Sequence, residues 1–301
     1  MLWLAAASVF AAGDVGPPTG SRFPAFKLPD QNGQIHTLRS FMGPKGAVIL
    51  FNRSAEKAQL VELQQHEDAF HKLGLGVAIV SRDSVEELKE FASRSSIHVP
   101  LLSDSVAKNS GWFVLDAKGV LVAKYSEEDS SQYYTSAAVL LHQFGWTPPE
   151  APREIKGKLL TATIGASNAT VEPGQRVALT LDIDLQPNMH VYAPGVEDTY
   201  IPIEWKMEDS NTAQAHAPEL PHAEKLFLKA INETVPAYTS HFRLTRDITI
   251  PPADKLKSAL DRSGHLVVAS SLHYQACDDR MCYFPQTLPL QWTFEVPTPD
   301  K

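Results

Sequence analysis

Cysteine is almost absent from this chain: its 301 residues hold two, Cys277 and Cys282. Thiol chemistry is therefore confined to Tyr274–Pro285, and no sulfur nucleophile precedes residue 277. Basic charge is also scarce. Lys and Arg number 27 against 35 Asp and Glu, a net charge of −8. No basic cluster offers the phosphate-neutralising face of a nucleic-acid-binding protein, so no nucleic-acid partner is expected. Beyond the N-terminus there is no apolar run near the roughly 18 residues needed to cross a bilayer, so the protein is expected not to be membrane-spanning. With 43% apolar and 21% charged residues the chain reads as folded, and its length exceeds what one core usually supports, which predicts two domains.

Met1–Ala12 form a short apolar run followed by Gly13–Pro18. The run reads as the apolar region of an export leader (residues 1–16), with Val9–Ala11 as its small-residue cleavage site, although a positively charged start is missing. Export predicts a periplasmic or similar oxidising compartment in which the two cysteines rest as a disulfide.

From residue 17 to 146 the pattern alternates. Asn32-Gly33 marks a turn. Ala47–Phe51 and Leu75–Val80 are unbroken apolar runs that predict buried strands. Leu60, Leu63, Phe70 and Leu73, and then Val85, Leu88, Phe91 and Ala92, repeat at helical spacing. Trp112–Asp116 and Val120–Tyr125, joined by Asp116-Ala-Lys-Gly119, predict a hairpin, and Ser131–Phe144 a closing helix with Tyr134, Ala138 and Leu141 on one face. Such an order specifies an α/β unit whose mixed sheet is covered on both faces.

On Phe23-Pro-Ala-Phe-Lys-Leu-Pro-Asp30, Ala58–Gln64 and Phe113–Gly119, residues 17–146 resemble the thioredoxin fold, and more narrowly the peroxiredoxin-like redoxin (AhpC/TSA) family. That resemblance implies a reactive cysteine between the first core strand and the next helix, and a cis-proline before the hairpin. Here the connector Asn52–Lys57 has no cysteine and is short, and the approach to the hairpin is Asn109-Ser-Gly-Trp112. Ser54 is no substitute, because the connector offers no His or Asp as a base. The expectation is a redoxin-like domain lacking its catalytic Cys, with no peroxidase activity.

Trp146–Arg153 carries three prolines, and residues 147–153 read as a stiff linker. Residues 154–297 then break into short alternating runs: Leu159–Ile164, Arg176–Ile183, His190–Tyr192, Ile201–Trp205, Ser240–Leu244, His265–Ala269 and Leu290–Val296, with a short helix near Asp254–Leu260. These predict an all-β sandwich. His216 and His222, in a turn-rich stretch, are expected on solvated loops.

The residues around the cysteines leave three readings open. Four intervening residues let Cys277 and Cys282 meet across a tight turn. A structural staple is the first reading, but a ring this short constrains the unfolded chain by only roughly 2 kcal/mol, against about 4.7 for a 100-residue loop. Cu(I) handling is the second, from His273, Cys277, Met281 and Cys282, with His190 or Met189 arriving from another strand. Thiol-disulfide exchange is the third. Asp278 and Asp279 oppose a thiolate while Arg280 favours one, and Tyr274, Tyr283 and Phe284 either shield the pair or pack in the core.

Asn188–Gly195, Tyr200–Trp205 and above all Tyr274–Leu290 resemble the N-terminal domain of the thiol:disulfide interchange protein DsbD, an immunoglobulin-like sandwich. The best-known members space their cysteines by five residues, not four. The resemblance implies a thiol:disulfide oxidoreductase in which Cys282 enters the mixed disulfide and Cys277 resolves it, with no cofactor and no metal. Its partners would be exported redox proteins, including a separate membrane or periplasmic electron donor. A partner-binding scaffold with a structural disulfide is the competing class.

Overall fold

The long apolar runs around residues 50 and 80 dictate the first sheet. A computed structural model of the chain describes residues 16–52, 57–125, 132–146, 148, 153–197, 199–208, 212–228 and 232–297. The apolar leader, Ser54 and most of the 147–153 segment lie outside the described residues. Contacts divide the chain into two units, 1–139 and 140–301.

The first unit runs β1 (Lys27–Pro29), β2 (Ile35–Thr37), β3 (Gly46–Asn52), α1 (Lys57–Lys72), β4 (Leu75–Ser81), α2 (Val85–Ser95), β5 (Leu101–Ser103), β6 (Gly111–Asp116), β7 (Leu121–Tyr125), β8 (Tyr133–Tyr134) and α3 (Ser136–Phe144), the last crossing into the second unit. Its main sheet has the order β5-β4-β3-β6-β7. β3, β4 and β5 pair in parallel, whereas β6 and β7 are antiparallel. Ala47, Val48, Ile49 and Leu50 are all buried, so β3 is covered on both faces and needs apolar side chains at every position. One face carries Ile49, Phe51, Val80 and Phe113 against Phe23 and Phe41. Leu60, Leu63 and Phe70 are the buried stripe of α1.

Helix starts follow local chemistry. α2 opens with a capping box, Ser84 and Glu87 bonding reciprocally. α3 begins later than the expected Ser131: Tyr133–Tyr134 are extended, Thr135 Oγ1 accepts from Ala138 N at 3.1 Å, and Glu62 of α1 accepts from the backbone of Ser136 and Ala137. Aromatic spacing misled here because the cap, not the apolar stripe, sets the first turn.

The second unit contains β9 (Arg153–Lys156), β10 (Leu160–Ala166), β11 (Gln175–Leu185), β12 (His190–Tyr192), β13 (Glu204–Met207), β14 (Gln214–Glu219), β15 (Glu224–Leu228), β16 (Glu233–Thr239), β17 (His241–Thr249), α4 (Ala253–Ala259), β18 (His265–Tyr274), β19 (Ala276–Cys277) and β20 (Gln286–Glu295). Its strands form β14-β17-β11-β10-β9, β13-β18-β20 and β15-β16-β12-β19. Leu266, Val268, Leu272 and Tyr274 of β18 alternate inward, as do Leu288, Leu290, Trp292 and Phe294 of β20, and all join one core with Leu179, Leu181 and Ile183 of β11. Each such side chain stabilises the fold by about 1.5–3 kcal/mol. Trp205 stacks on Trp292 at 5.7 Å and donates from Nε1 to Ser270 Oγ.

The stretch around His216 is a strand rather than a loop. β14 pairs with β17, its register shifting between Ala215 and Pro218, the kind of edge position that tolerates proline, and His216 Nε2 lies 2.9 Å from Thr249 Oγ1.

Gly76 marks the tightest approach in the first unit, where an added Cβ would sit 1.7 Å from the carbonyl oxygen of Phe41. Gly76→Ala should destabilise this unit by about 1–3 kcal/mol, read as a lower unfolding midpoint for that unit alone in denaturant titrations followed by amide exchange.

Candidate functional site

Backbone pairing brings the two cysteines together. β19 ends at Cys277, and the chain turns through Asp278–Met281 to bring Cys282 directly opposite it. Asp278 N–H donates to Met281 O at 3.0 Å, and Tyr283 N–H donates to Ala276 O at 2.9 Å. Asp278 Oδ1 accepts from the N–H groups of Arg280 and Met281, both at 2.8 Å, and Tyr283 Oη donates to Asp278 Oδ2. The Arg280 and Met281 amides hold the Asp278 carboxyl below its ordinary value. Within this frame Cys277 and Cys282 form a disulfide, with their Cα atoms 4.0 Å apart.

The two sulfurs differ in environment. Cys277 is 1% exposed, while Cys282 is exposed and lines a groove of about 1270 Å³ with Asp278–Met281. The opposite wall comes from β12, which pairs with β19 so that His190 faces Cys277. Tyr192, two residues on and so on the same face, donates its hydroxyl toward Cys282 Sγ at 3.5 Å. Burial pushes the Tyr192 phenol up. Tyr200 packs on Tyr192 at 4.7 Å and donates to Glu233, which pushes its pKa up to about 12.

His190 is buried, and its Nε2 has no hydrogen-bond partner. Its ring meets Tyr192 edge-on at 5.4 Å. Burial lowers its pKa, against a smaller raising effect from the Asp278 charge. Tyr192 and Tyr200 fall inside stretches that carry a resemblance but have no role in the sequence reading, and His190 enters it only as a candidate Cu(I) ligand. The signal was the His190-x-Tyr192 alternation, which puts both rings on one face of a strand.

The aromatic residues beside the cysteines separate. Tyr274 is core, its hydroxyl bonded to Lys158 O. Tyr283 braces the turn. Phe284 is 85% exposed and shields nothing, so the cover over Cys282 is Tyr192 instead. For copper, His273 Nδ1 lies 3.1 Å from Thr287 Oγ1, and among the described residues no group of three His, Cys, Asp or Glu side chains is arranged to hold a metal.

In the first unit, the C-terminal end of β3 meets a polar network. Asn52 Nδ2 donates to Gln59 Oε1, Gln59 Nε2 donates to Tyr134 O, and Trp112 Nε1 donates to the same carbonyl.

Because Asp278 is held below 3.8, its hold on the turn is complete above that value and is lost as pH falls through the lower folded one. Asp278→Ala should expose the Arg280 and Met281 amides to faster exchange at neutral pH. It should also speed reduction of the disulfide by dithiothreitol several-fold, with the difference from wild type closing in acid.

Comparison with known proteins gives two matches. Residues 19–124 match the AhpC/TSA family. Residues 159–291 match the family described as thiol:disulfide interchange protein DsbD, N-terminal. Peroxiredoxin Bcp of Escherichia coli (strain K12) is 31% identical over 96 residues, which cover 31% of this chain and 57% of that protein. Among solved structures, peroxidoxin BcpB from Mycobacterium tuberculosis is 22% identical, covering 37% of this chain and 87% of its own, with a TM-score of 0.34. The bacterioferritin comigratory protein of Xanthomonas campestris, also 22% identical, covers 33% and 79% with a TM-score of 0.30. One chain thus joins a thioredoxin-like segment that matches the AhpC/TSA family and is similar to a Bcp peroxiredoxin, to a β-rich segment that matches the DsbD N-terminal family.

Proposed function

We propose that the chain is an exported thiol:disulfide oxidoreductase that passes electrons through Cys277 and Cys282. The observation that carries this reading is the exposure difference: Cys282 opens on a groove while Cys277 is buried behind it. An incoming thiolate reaches Cys282 alone, so Cys282 enters the mixed disulfide and Cys277 resolves it. The domains are residues 17–146 and 154–297, the latter an immunoglobulin-like sandwich, joined by 147–153. The partners are exported redox proteins, with a separate membrane or periplasmic protein as electron donor, and the compartment is periplasmic.

The 17–146 domain is a redox-inactive, peroxiredoxin-like scaffold. Support comes from the sequence, which has no cysteine in the AhpC/TSA match, and from the amide network at the end of β3.

Trapping tests the exchange role. Cys277→Ala should accumulate mixed disulfides with exported thiol proteins through Cys282, and Cys282→Ala should accumulate none. A structural staple predicts no capture by either variant and a potential below about −300 mV, whereas stoichiometric Cu(I) uptake abolished by Cys282→Ser would support the copper reading instead. For the first domain, a variant lacking both cysteines should show no peroxide turnover; turnover that survives would overturn the inactive-scaffold reading.

A further inference from the structure

His190 is the one strand residue beside the disulfide whose chemistry the exchange reading leaves unused. It faces Cys277 in register across β12 and β19. Directly opposed residues of an antiparallel pair hold their Cβ atoms about 4.5–5.5 Å apart, so the imidazole and the buried sulfur share one face of the sheet. The Nε2 atom is buried without a partner. An unsatisfied buried polar atom costs about 1–3 kcal/mol.

Resolution of a mixed disulfide creates a need at this same place. Once Cys282 is bonded to a partner sulfur, Cys277 is a buried thiol that must lose its proton before it can attack. Burial disfavours spontaneous ionisation, and the exposed side of the site is occupied by the partner. We propose that His190 is the proton acceptor for Cys277 in this step, a role that rests on the exchange reading above. The proton of Cys277 passes to His190. The thiolate attacks Cys282 Sγ, the Cys277–Cys282 bond forms, and the bond from Cys282 to the partner sulfur breaks. The partner sulfur leaves with the electron pair and is reprotonated from His190 or solvent. The cysteine pair is oxidised by two electrons, and the partner disulfide is reduced to two thiols.

The surroundings keep the imidazole neutral. Tyr192 lies on its own strand, Thr239 stands opposite on β16 and donates to Glu224, and the charged side chains lining the same groove are Asp278, Asp279 and Arg280 of the turn, with Glu233 beyond Tyr200. Burial outweighs the Asp278 charge and holds the imidazole below 6.5, so it is unprotonated through neutral pH and loses its acceptor role only in acid.

The test uses the reduced full chain and dithiobisnitrobenzoate as the disulfide. Attack by Cys282 releases a first equivalent of thionitrobenzoate, and attack by Cys277 on the mixed disulfide releases a second. In wild type the second phase should fall on acidification with an inflection below 6.5. In H190Q it should slow on the order of a hundredfold at neutral pH, losing that inflection and rising only with the thiol's own ionisation at about 8.5 or above. A cooperative unfolding transition shows that H190Q has folded; if the variant does not fold, the wild-type profile decides, and a second phase with no inflection below 6.5 overturns the proposal. Two phases with the same pH profile in both proteins also overturn the role of His190 while leaving the exchange reading intact. Absence of a first phase in wild type overturns the exchange reading, and this role with it.

Discussion

The turn from Asp278 to Met281 is the constraint on which the second unit's chemistry depends. Two backbone hydrogen bonds, Asp278 to Met281 and Tyr283 to Ala276, leave Cys277 and Cys282 facing each other across the narrowest spacing a hairpin offers. The Asp278 side chain then spends its charge on the two amides inside the turn. An acidic residue next to a cysteine would ordinarily oppose a thiolate. Here the carboxylate is already compensated by N–H groups, so it fixes geometry with less penalty on the neighbouring sulfur.

The same pairing reaches further through β12. Because β19 lies beside β12, a strand distant in sequence delivers His190 and Tyr192 to the sulfur-bearing face, with Tyr192 and Cys282 90 residues apart along the chain. The two cysteines leave the hairpin in unlike surroundings. Water can solvate a thiolate at Cys282, whereas one at Cys277 would be desolvated. A hairpin disulfide with symmetric exposure would present both sulfurs to solvent; this one presents Cys282 and buries Cys277.

Much of the architecture was legible in the sequence, where one physical signal acted alone. Ala47–Phe51 of β3 and Val77–Val80 of β4 are unbroken apolar runs because both faces are buried. The turn at Asp116–Gly119 is set by an Asp that takes the N–H groups of Lys118 and Val120. Legibility failed where tertiary contacts decide. The start of α3 is set by Glu62, far away in sequence. β14 is hidden by Pro218 at an edge irregularity, and Ile201–Ile203 lie outside β13. At the site, the cysteine pair stood out by scarcity, whereas His190 and Tyr192 acquire meaning only from the β12–β19 pairing, which no local pattern announces.

The first unit poses the converse problem, a redox-type fold with no thiol. Its sheet keeps the buried runs of β3 and β4, so the absence of a cysteine costs the core nothing. At the end of β3 the Gln59 amide and the Trp112 indole converge on the Tyr134 carbonyl, and the Asn52 amide donates to Gln59. Neutral, mutually satisfied groups of this kind hold a strand end in one arrangement without supplying charge or a nucleophile. A site built for a thiolate needs donors left open to stabilise negative charge. Here Gln59 Nε2 and Trp112 Nε1 donate to backbone, which suits this end of the sheet to holding shape.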